Sequence, residues 1–281
     1  RGDVYSYCQV VTDMAYLAKQ HQRTPRWGTV PRTGLAWLLG VCLATVFFAP
    51  AEWLAQLLAS TTGGRMQLLQ VHGTIWQGSG QWVLSDGHGG HTALALPQQV
   101  HWQIKPVWPG ALQLSLQADC CTRTPWVWEW QPGLEGGHIR LQANTSHWPL
   151  AWLSGLGAPL NTIGLQGQVQ LQHADMQWSW RAGQASLQGS GEITLHNVSS
   201  DLSTLKPLGD YALTLQGGTQ TVLQLRSLQA RLQLQGSGGW RDGGWYFNGE
   251  AQAESGFEEV LGNLLGVLGQ RQGQKAIFQL G

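Results

Sequence analysis

The sequence predicts an all-β domain, built from an antiparallel, twisted or curved sheet with a covering C-terminal helix and anchored by one N-terminal transmembrane helix. Three observations support this prediction. Apolar and polar residues alternate with a period of two through most of the chain after residue 65, which is typical of half-buried strands. One stretch near the C-terminus has the period of an amphipathic helix. One uncharged apolar segment lies near the N-terminus.

The uncharged segment covers residues 33–51. At about 1.5 Å of rise per helical residue it reaches roughly 28 Å, close to the roughly 30 Å hydrocarbon core of a bilayer. A cleaved signal peptide and a buried core helix are the alternatives. The segment is longer than a typical signal-peptide core, and its only candidate cleavage element has Pro50 in the middle. These features favour a membrane span.

Charge sets the predicted orientation of this span. Glu52 follows the segment, and four basic residues precede it: Lys19, Arg23, Arg26 and Arg32. The positive-inside rule then places the N-terminus in the cytoplasm. We therefore predict a cytoplasmic lead-in over residues 1–32, a transmembrane helix over 33–58 and a periplasmic β-rich domain over 59–281.

Two helices are predicted within the β-rich domain. The first is a short helix over residues 147–153, where Pro149 suits a first helical turn. The second follows Ser255, which stands three residues before Glu258 at capping-box spacing, and it should stop at Gly269. Its apolar stripe should pack on the sheet. The stripe comprises Phe257, Val260, Leu261, Leu264, Leu265 and Leu268, and a last strand should contain Ala276, Phe278 and Leu280.

Composition excludes one class of partner. The chain has 16 Lys and Arg against 16 Asp and Glu, and only 11% of its residues are charged. A protein that binds nucleic acid needs a basic face to neutralise phosphates, so we expect no nucleic-acid partner.

No catalytic, cofactor or metal site is predicted. The sequence has no nucleophile-elbow, phosphate-loop or dinucleotide motif, and its acids show no evident pairing. His88 and His91, with Asp86 nearby, could offer ligands to a metal, but their glycine-rich context favours a hairpin tip. Alternating Trp126, Trp128 and Trp130 could stack on sugar rings, although such a pattern more often packs in a core or an interface.

Adjacent Cys120 and Cys121 fall in the domain that we place outside the inner membrane, where oxidation is favoured. Two alternatives stay open for them. Neighbouring Cα atoms lie about 3.8 Å apart, below the usual range for disulfides, so a bond between them would be strained. Free thiols, or thiols paired with another chain, are the other alternative. Cys8 and Cys42 belong to the lead-in and the span.

Several short motifs, in order behind the span, resemble protein N of the bacterial type II secretion system. They are residues 71–78 (VHGTIWQG), 102–109 (WQIKPVWP), Trp148-Pro149 with the strand after it, 208–211 (LGDY), 236–240 (GSGGW), 247–249 (FNG) and 264–269 (LLGVLG). The resemblance covers residues 32–281. In the first motif, Gly73 and Gly78 are expected to let a tryptophan lie flat over the sheet, which makes the motif a fold signature rather than a site.

The resemblance implies a non-enzymatic accessory component that supports export of folded proteins across the outer membrane. Its partners would be other secretion components, in the inner-membrane platform or the secretin. Two further functions stay open. An AsmA-like carrier would hold lipid or glycolipid in an apolar groove. A carbohydrate-active enzyme would need paired carboxylates facing a cleft lined by tryptophan.

Overall fold

The computed structural model describes residues 32–87, 90–158, 160–181, 183–241 and 244–280. The chain divides into two compact units, Arg1–Phe47 and Phe48–Gly281. In chain order, the helices and first strands are α1 (Arg32–Phe47), α2 (Ala51–Thr61), β1 (Met66–Gly73), β2 (Gln77–Ser85), β3 (Ala93–Ala95), β4 (Val100–Val107), β5 (Ala111–Ala118), β6 (Trp126–Gly133), β7 (Gly136–Leu141) and β8 (Asn144–Pro149).

A 3-10 helix (Leu150–Leu156) and the one-turn helix α3 (Leu160–Ile163) follow β8. The remaining elements are β9 (Gln166–His173), β10 (Met176–Arg181), β11 (Gln184–Gln188), β12 (Ser190–Ser199), β13 (Gly209–Gln216), β14 (Val222–Ala230), β15 (Leu232–Arg241), β16 (Gly244–Ala253), α4 (Glu258–Leu268), β17 (Gln270–Gln272) and β18 (Lys275–Leu280). The prediction of a mostly antiparallel β fold with few helices is confirmed.

The N-terminal segment differs from the single helix predicted over residues 33–58. The structure has two helices there, α1 and α2, and Pro50 is the N-cap of α2. Proline lacks a backbone N–H and disfavours helical geometry in the residue before it, so the first helix ends ahead of it. Among the described residues, no helix combines the length and the hydropathy needed to cross a membrane. The membrane span therefore stays a prediction, and the lead-in lies outside the described residues.

Within the described residues, the strands form two nine-stranded antiparallel sheets. The first has the order β1-β2-β4-β5-β6-β7-β10-β11, with β3 also paired to β2. The second has the order β17-β18-β16-β15-β14-β13-β12-β9-β8. The chain passes from one sheet to the other three times, from β7 to β8, from β9 to β10 and from β11 to β12, and each connecting segment is only one or two residues long. Three long, kinked strands thus run through both sheets at the centre of the domain.

Asp175 and Gly189 stand at two of these kinks. The Asp175 carboxylate accepts a hydrogen bond of 2.8 Å from the backbone N–H of Ala143, at the kink of the neighbouring strand. Gly189 has φ +103°, and a Cβ there would lie 2.4 Å from the Asp175 carbonyl oxygen. Only glycine adopts this backbone conformation without strain. These contacts lie where the strands leave one sheet and enter the other.

One face of both sheets carries most of the apolar side chains, and we call it the inner face. In β5 and β6 it presents Leu112, Leu114 and Leu116 opposite Trp130, Trp128 and Trp126. Three buried clusters cover parts of it. One lies under α4, where Leu261, Leu264 and Leu265 pack on Ala251 and Ala276. The others lie around Tyr211 with Leu150 and around Val100 with Leu96.

In the part of the chain that the structure describes, six pairs of consecutive strands are joined at one end of the sheets, and we call this end the rim. Because neighbouring strands run in opposite directions, every second strand ends there. The rim comprises the turns from β1 to β2, β4 to β5, β6 to β7, β10 to β11, β13 to β14 and β15 to β16. The second unit also begins at the rim. The Ala49 carbonyl oxygen accepts a hydrogen bond of 3.0 Å from the Ile75 N–H, and Pro50 bridges to Thr74 in the first of these turns.

The predicted C-terminal helix is α4, and the expected last strand is β18. The helix begins at Glu258, and Phe257, not Ser255, is its N-cap. Glu258 instead accepts a hydrogen bond of 2.8 Å from the backbone N–H of Gly256. The helix ends before Gly269, as predicted. Residues 147–149, predicted as the start of a short helix, extend β8, and the helix that follows Pro149 is the 3-10 helix.

Candidate functional site

A chain of aromatic rings fills the region where the inner faces of the two sheets meet. Trp82 of β2 contacts Trp152 of the 3-10 helix edge to face, with ring centroids 5.4 Å apart. Trp152 stacks on Trp148 at 5.9 Å. Trp148 in turn contacts Trp126 at 6.0 Å, and Trp126 contacts His173 at 5.7 Å. The chain therefore spans from β2 in the first sheet to β9 in the second.

Hydrogen bonds orient two of these rings. The Trp148 indole N–H donates to the Ser146 hydroxyl at 2.8 Å, and the Trp152 indole N–H donates to the Leu94 carbonyl oxygen at 3.0 Å. Both rings are half-buried, whereas the buried indole nitrogens of Trp82 and Trp126 have no hydrogen-bond partner among the described residues. Trp126, which the sequence places among possible sugar-stacking residues, is here a packing residue between sheets. Trp130, in contrast, is exposed in the C-terminal half of β6.

Cys120 and Cys121 lie beside this aromatic chain, in the connection between β5 and β6. The Cys121 side chain is buried with Val100 and Ala118, and the two sulfur atoms are 2.08 Å apart. The Cys121 carbonyl oxygen accepts a hydrogen bond of 2.8 Å from the His147 N–H, which joins this connection to β8. The pair thus lies where the two sheets meet. Its oxidation in the protein stays a prediction.

The glycine-rich motif at residues 71–78 forms the first turn of the rim. A Cβ on Gly78 would lie 2.4 Å from the ring of Trp102, whose indole N–H donates to the Thr74 carbonyl oxygen at 3.2 Å. A tryptophan does lie over this glycine, as the sequence suggested, but it is Trp102 of β4 rather than Trp76 within the motif. The motif therefore has a direct packing role.

A depression of about 720 Å³ adjoins this motif on the outer face of the first sheet. Its lining is mostly uncharged and polar, and includes His72, Thr74, Gln77, His101, Gln103 and Gln117. A smaller apolar depression, of about 60 Å³, lies at the rim between Trp178, Leu187, Trp240 and Trp245. The first could accept hydrogen-bonding groups, whereas the second offers mostly apolar surface.

The acidic residues to which the sequence analysis assigned no role make contacts in separate parts of the fold. Asp175 bonds a backbone N–H at a kink, and Asp210 accepts a hydrogen bond of 2.7 Å from the Asn197 N–H. Glu192 lies 4.0 Å from Arg226, and Glu129 accepts hydrogen bonds from two glutamines. In the part of the chain that the structure describes, no three His, Cys, Asp or Glu residues form a group suited to a metal. His88 lies outside the described residues.

Tyr211 and Glu250 have pKa values that are shifted by their surroundings. Burial, together with the nearby charge of Asp210, raises the pKa of the Tyr211 phenol, whose hydroxyl donates to the Leu232 carbonyl oxygen at 2.8 Å. The hydrogen bond from Lys275 lowers the pKa of Glu250, and Gln235 adds to this effect. Both shifts keep the group in one protonation state near neutral pH, which suits a structural role better than proton transfer.

A comparison with protein families matches residues 64–278 to type II secretion system protein N. The chain belongs to this family. The match begins just before β1 and ends within β18, so the protein N region contains both sheets and α4. It confirms the resemblance seen in the sequence. No curated protein and no solved structure gave a match.

Proposed function

We propose that the protein is a non-enzymatic, inner-membrane accessory component of the type II secretion system. It supports export of folded proteins from the periplasm across the outer membrane through contacts with other secretion components. The match to protein N over residues 64–278 carries this proposal. The acidic residues support it, because Asp175 and Asp210 each accept a hydrogen bond from a backbone N–H group of the fold.

The proposed location is a single span with the β-rich domain in the periplasm. Residues 33–51 carry no charge, and the basic residues lie before them, which supports this orientation. The partners that we propose are components of the inner-membrane platform or the secretin. A cysteine pair packed at the junction of the sheets is also in keeping with an oxidising compartment.

Substitution of single acidic residues distinguishes a function through protein contacts from a catalytic function. We expect Asp175→Ala to lower the amount of protein modestly, because an exposed hydrogen bond of this kind contributes about 1 kcal/mol. Asp175→Asn keeps an acceptor oxygen and should lower the amount less. Glu192→Ala should change little, since an exposed ion pair contributes about 0–1 kcal/mol. Secretion, measured in cells without the native copy, should follow the amount of protein in each variant.

Asp86→Ala, Glu129→Ala and Asp210→Ala complete this set. A variant with normal abundance and no secretion would contradict the contact mechanism, because a truncated carboxylate loses proton transfer but leaves the sheet intact.

A lipid or glycolipid carrier is the second candidate, and one observation favours it. Between the three buried clusters, the inner face has a row of half-buried apolar side chains: Leu171, Ile193, Leu213, Leu215 and Leu223. An acyl chain could lie there, since it needs no hydrogen bonds from strands whose backbone groups are already paired.

Solvent extraction of the purified full chain tests the carrier function. Leu215→Gln should reduce bound lipid if the row holds an acyl chain. The matched control is Thr214→Gln, the next residue on the opposite face of β13. Equal lipid in both variants would mean that the row does not hold the lipid, and a wild-type chain that carries no lipid would contradict the carrier function.

A further inference from the structure

The exposed apolar residues of the strands and turns are concentrated at the rim. Among the described strand and turn residues, eight large exposed side chains lie there: Val107, Trp108, Trp130, Leu134, Trp178, Val222, Trp240 and Trp245. Three others, Leu69, Leu94 and Leu228, lie away from it. Leu134 and Trp108 stand at the tips of their turns and are 109% and 93% exposed. A single exposed apolar residue is ordinary, but the concentration of eight at one end of the sheets indicates that something covers this end.

The arrangement of these residues is a line rather than a patch. They lie in, or within about three residues of, five separate turns, and neighbouring strands in a sheet are about 4.8 Å apart. From the β4–β5 turn to the β15–β16 turn the line therefore extends over roughly 40 Å. A protein partner of standard size would cover a contiguous area of about 800 Å². A broad apolar surface is a better fit to a row of separated tips.

The residue types at the rim indicate the chemistry of the surface that covers it. Five of the eight are tryptophan, whose ring has an apolar body and a polar edge and is enriched where membrane meets water. Arg181 and Arg241 end two of the rim strands, beside Trp180 and Trp240. Basic side chains beside a membrane surface are attracted to anionic headgroups.

The start of the second unit supports the same conclusion. Phe48 is 78% exposed, and the next two residues, Ala49 and Pro50, bond to the first rim turn. Residues 48–50 belong to the uncharged segment predicted to span the membrane, so the C-terminal end of that segment lies at the rim. If that segment is in the bilayer, the rim is the end of the sheets that is tethered to it.

We propose that the rim docks on the surface of the membrane that anchors the chain, with the tryptophan and leucine side chains of its turns in the interfacial layer. The proposal deepens the proposed function and rests on its inner-membrane anchoring. The sheets would then stand on the membrane, with α4 and the 3-10 helix at the far end. In this orientation the far end, rather than the rim, faces secretion components in the periplasm.

Fluorescent labelling of the full chain tests the docking. Cysteine is introduced at Leu134 or at Trp108, two fully exposed tips, in a chain that carries Cys8→Ser and Cys42→Ser. The matched control is Leu94→Cys, since Leu94 is 41% exposed and lies at the far end. Each variant is labelled with an environment-sensitive dye, and the chain without an added cysteine corrects for labelling of Cys120 and Cys121.

The labelled chains are reconstituted in vesicles of phosphatidylethanolamine and phosphatidylglycerol that contain a lipid with a quencher near its headgroup. We expect the dyes at Leu134→Cys and Trp108→Cys to be quenched several-fold more than the dye at Leu94→Cys. Equal quenching at the three positions would overturn the proposal. Rim dyes that are shielded from water but not quenched by lipid would also overturn it, because a protein then covers the rim.

Anchoring and docking can fail separately in this experiment. A chain that carbonate extracts from the vesicles is not anchored, which would contradict the proposed location. The same labelled chains are then added to preformed vesicles. Quenching of the rim dyes there would keep the docking proposal, and its absence would overturn it.

Discussion

Replacing Leu265 with aspartate should unfold much of the C-terminal half of the β domain. Leu265 is 1% exposed and packs within the cluster formed by α4, Ala251 and Ala276. Removing a buried leucine side chain costs about 2–5 kcal/mol, and an unpaired charge in its place adds to that cost. A typical domain is stable by only about 5–15 kcal/mol. We expect Leu265→Asp to lower the midpoint of urea unfolding sharply and to make the domain sensitive to protease.

Val267→Asp is the matched control on the same helix. Val267 is 52% exposed, so the charge would stay in water. The control should unfold close to the wild-type midpoint, since surface substitutions change stability by about 0.5 kcal/mol or less. Equal sensitivity of the two variants would mean that α4 loses helix propensity rather than packing. Wild-type resistance of Leu265→Asp would mean that the stripe does not pack on the sheet.

The apolar stripe of α4 shows how far the sequence could predict this packing. Leu261, Leu264 and Leu265 are buried, as the spacing predicts, because residues three and four apart share one face of a helix. Val260 belongs to the same predicted stripe but is 43% exposed. A stripe defines a face, whereas the width of the contact depends on the curvature of the sheet below. That curvature is set by tertiary contacts and cannot be obtained from the helix sequence.

The strands were predictable for a similar reason, and their distribution over two sheets was not. Alternation of Leu112, Leu114 and Leu116 with polar residues requires one buried face, and the observed register places all three on the inner face. Nothing in the sequence distinguishes a strand that stays in one sheet from one that continues into the next. The kink at Asp175 depends on a hydrogen bond to Ala143, which is 32 positions away. Such long-range contacts leave no periodic signal.

The candidate surfaces were the least predictable part of the molecule. Trp108 and Leu134 each look unremarkable in the sequence, as one apolar residue beside a turn. Their shared position appears only once the strand order places every second hairpin turn at one rim. The cysteine pair shows the same limit, because adjacency in sequence says nothing about the burial of Cys121 beside Val100. Surfaces of this kind depend on topology more than on local sequence.

Gly73→Val should reduce the amount of folded protein strongly, and secretion with it. Gly73 has φ +97°, a conformation that is strained by about 1–3 kcal/mol for other residues and by more for a β-branched one. A Cβ there would also lie 2.4 Å from the Gln77 carbonyl oxygen and 2.9 Å from the Gly78 Cα. Those atoms are backbone and cannot rotate away. The turn that holds Ala49 and Pro50 would have to open.

Gly110→Val separates the two causes, because it has the strain without the collision. Gly110 also has positive φ, +122°, but a Cβ there meets nothing within 4 Å. We expect Gly110→Val to lower the unfolding midpoint modestly and Gly73→Val to lower it severalfold more. Abundance in cells, measured by immunoblot, should fall in the same order, and secretion should fall only as far as abundance does. If Gly73→Val folded normally but abolished secretion, the motif at residues 71–78 would be a binding site rather than the fold signature that its contacts with Trp102 indicate.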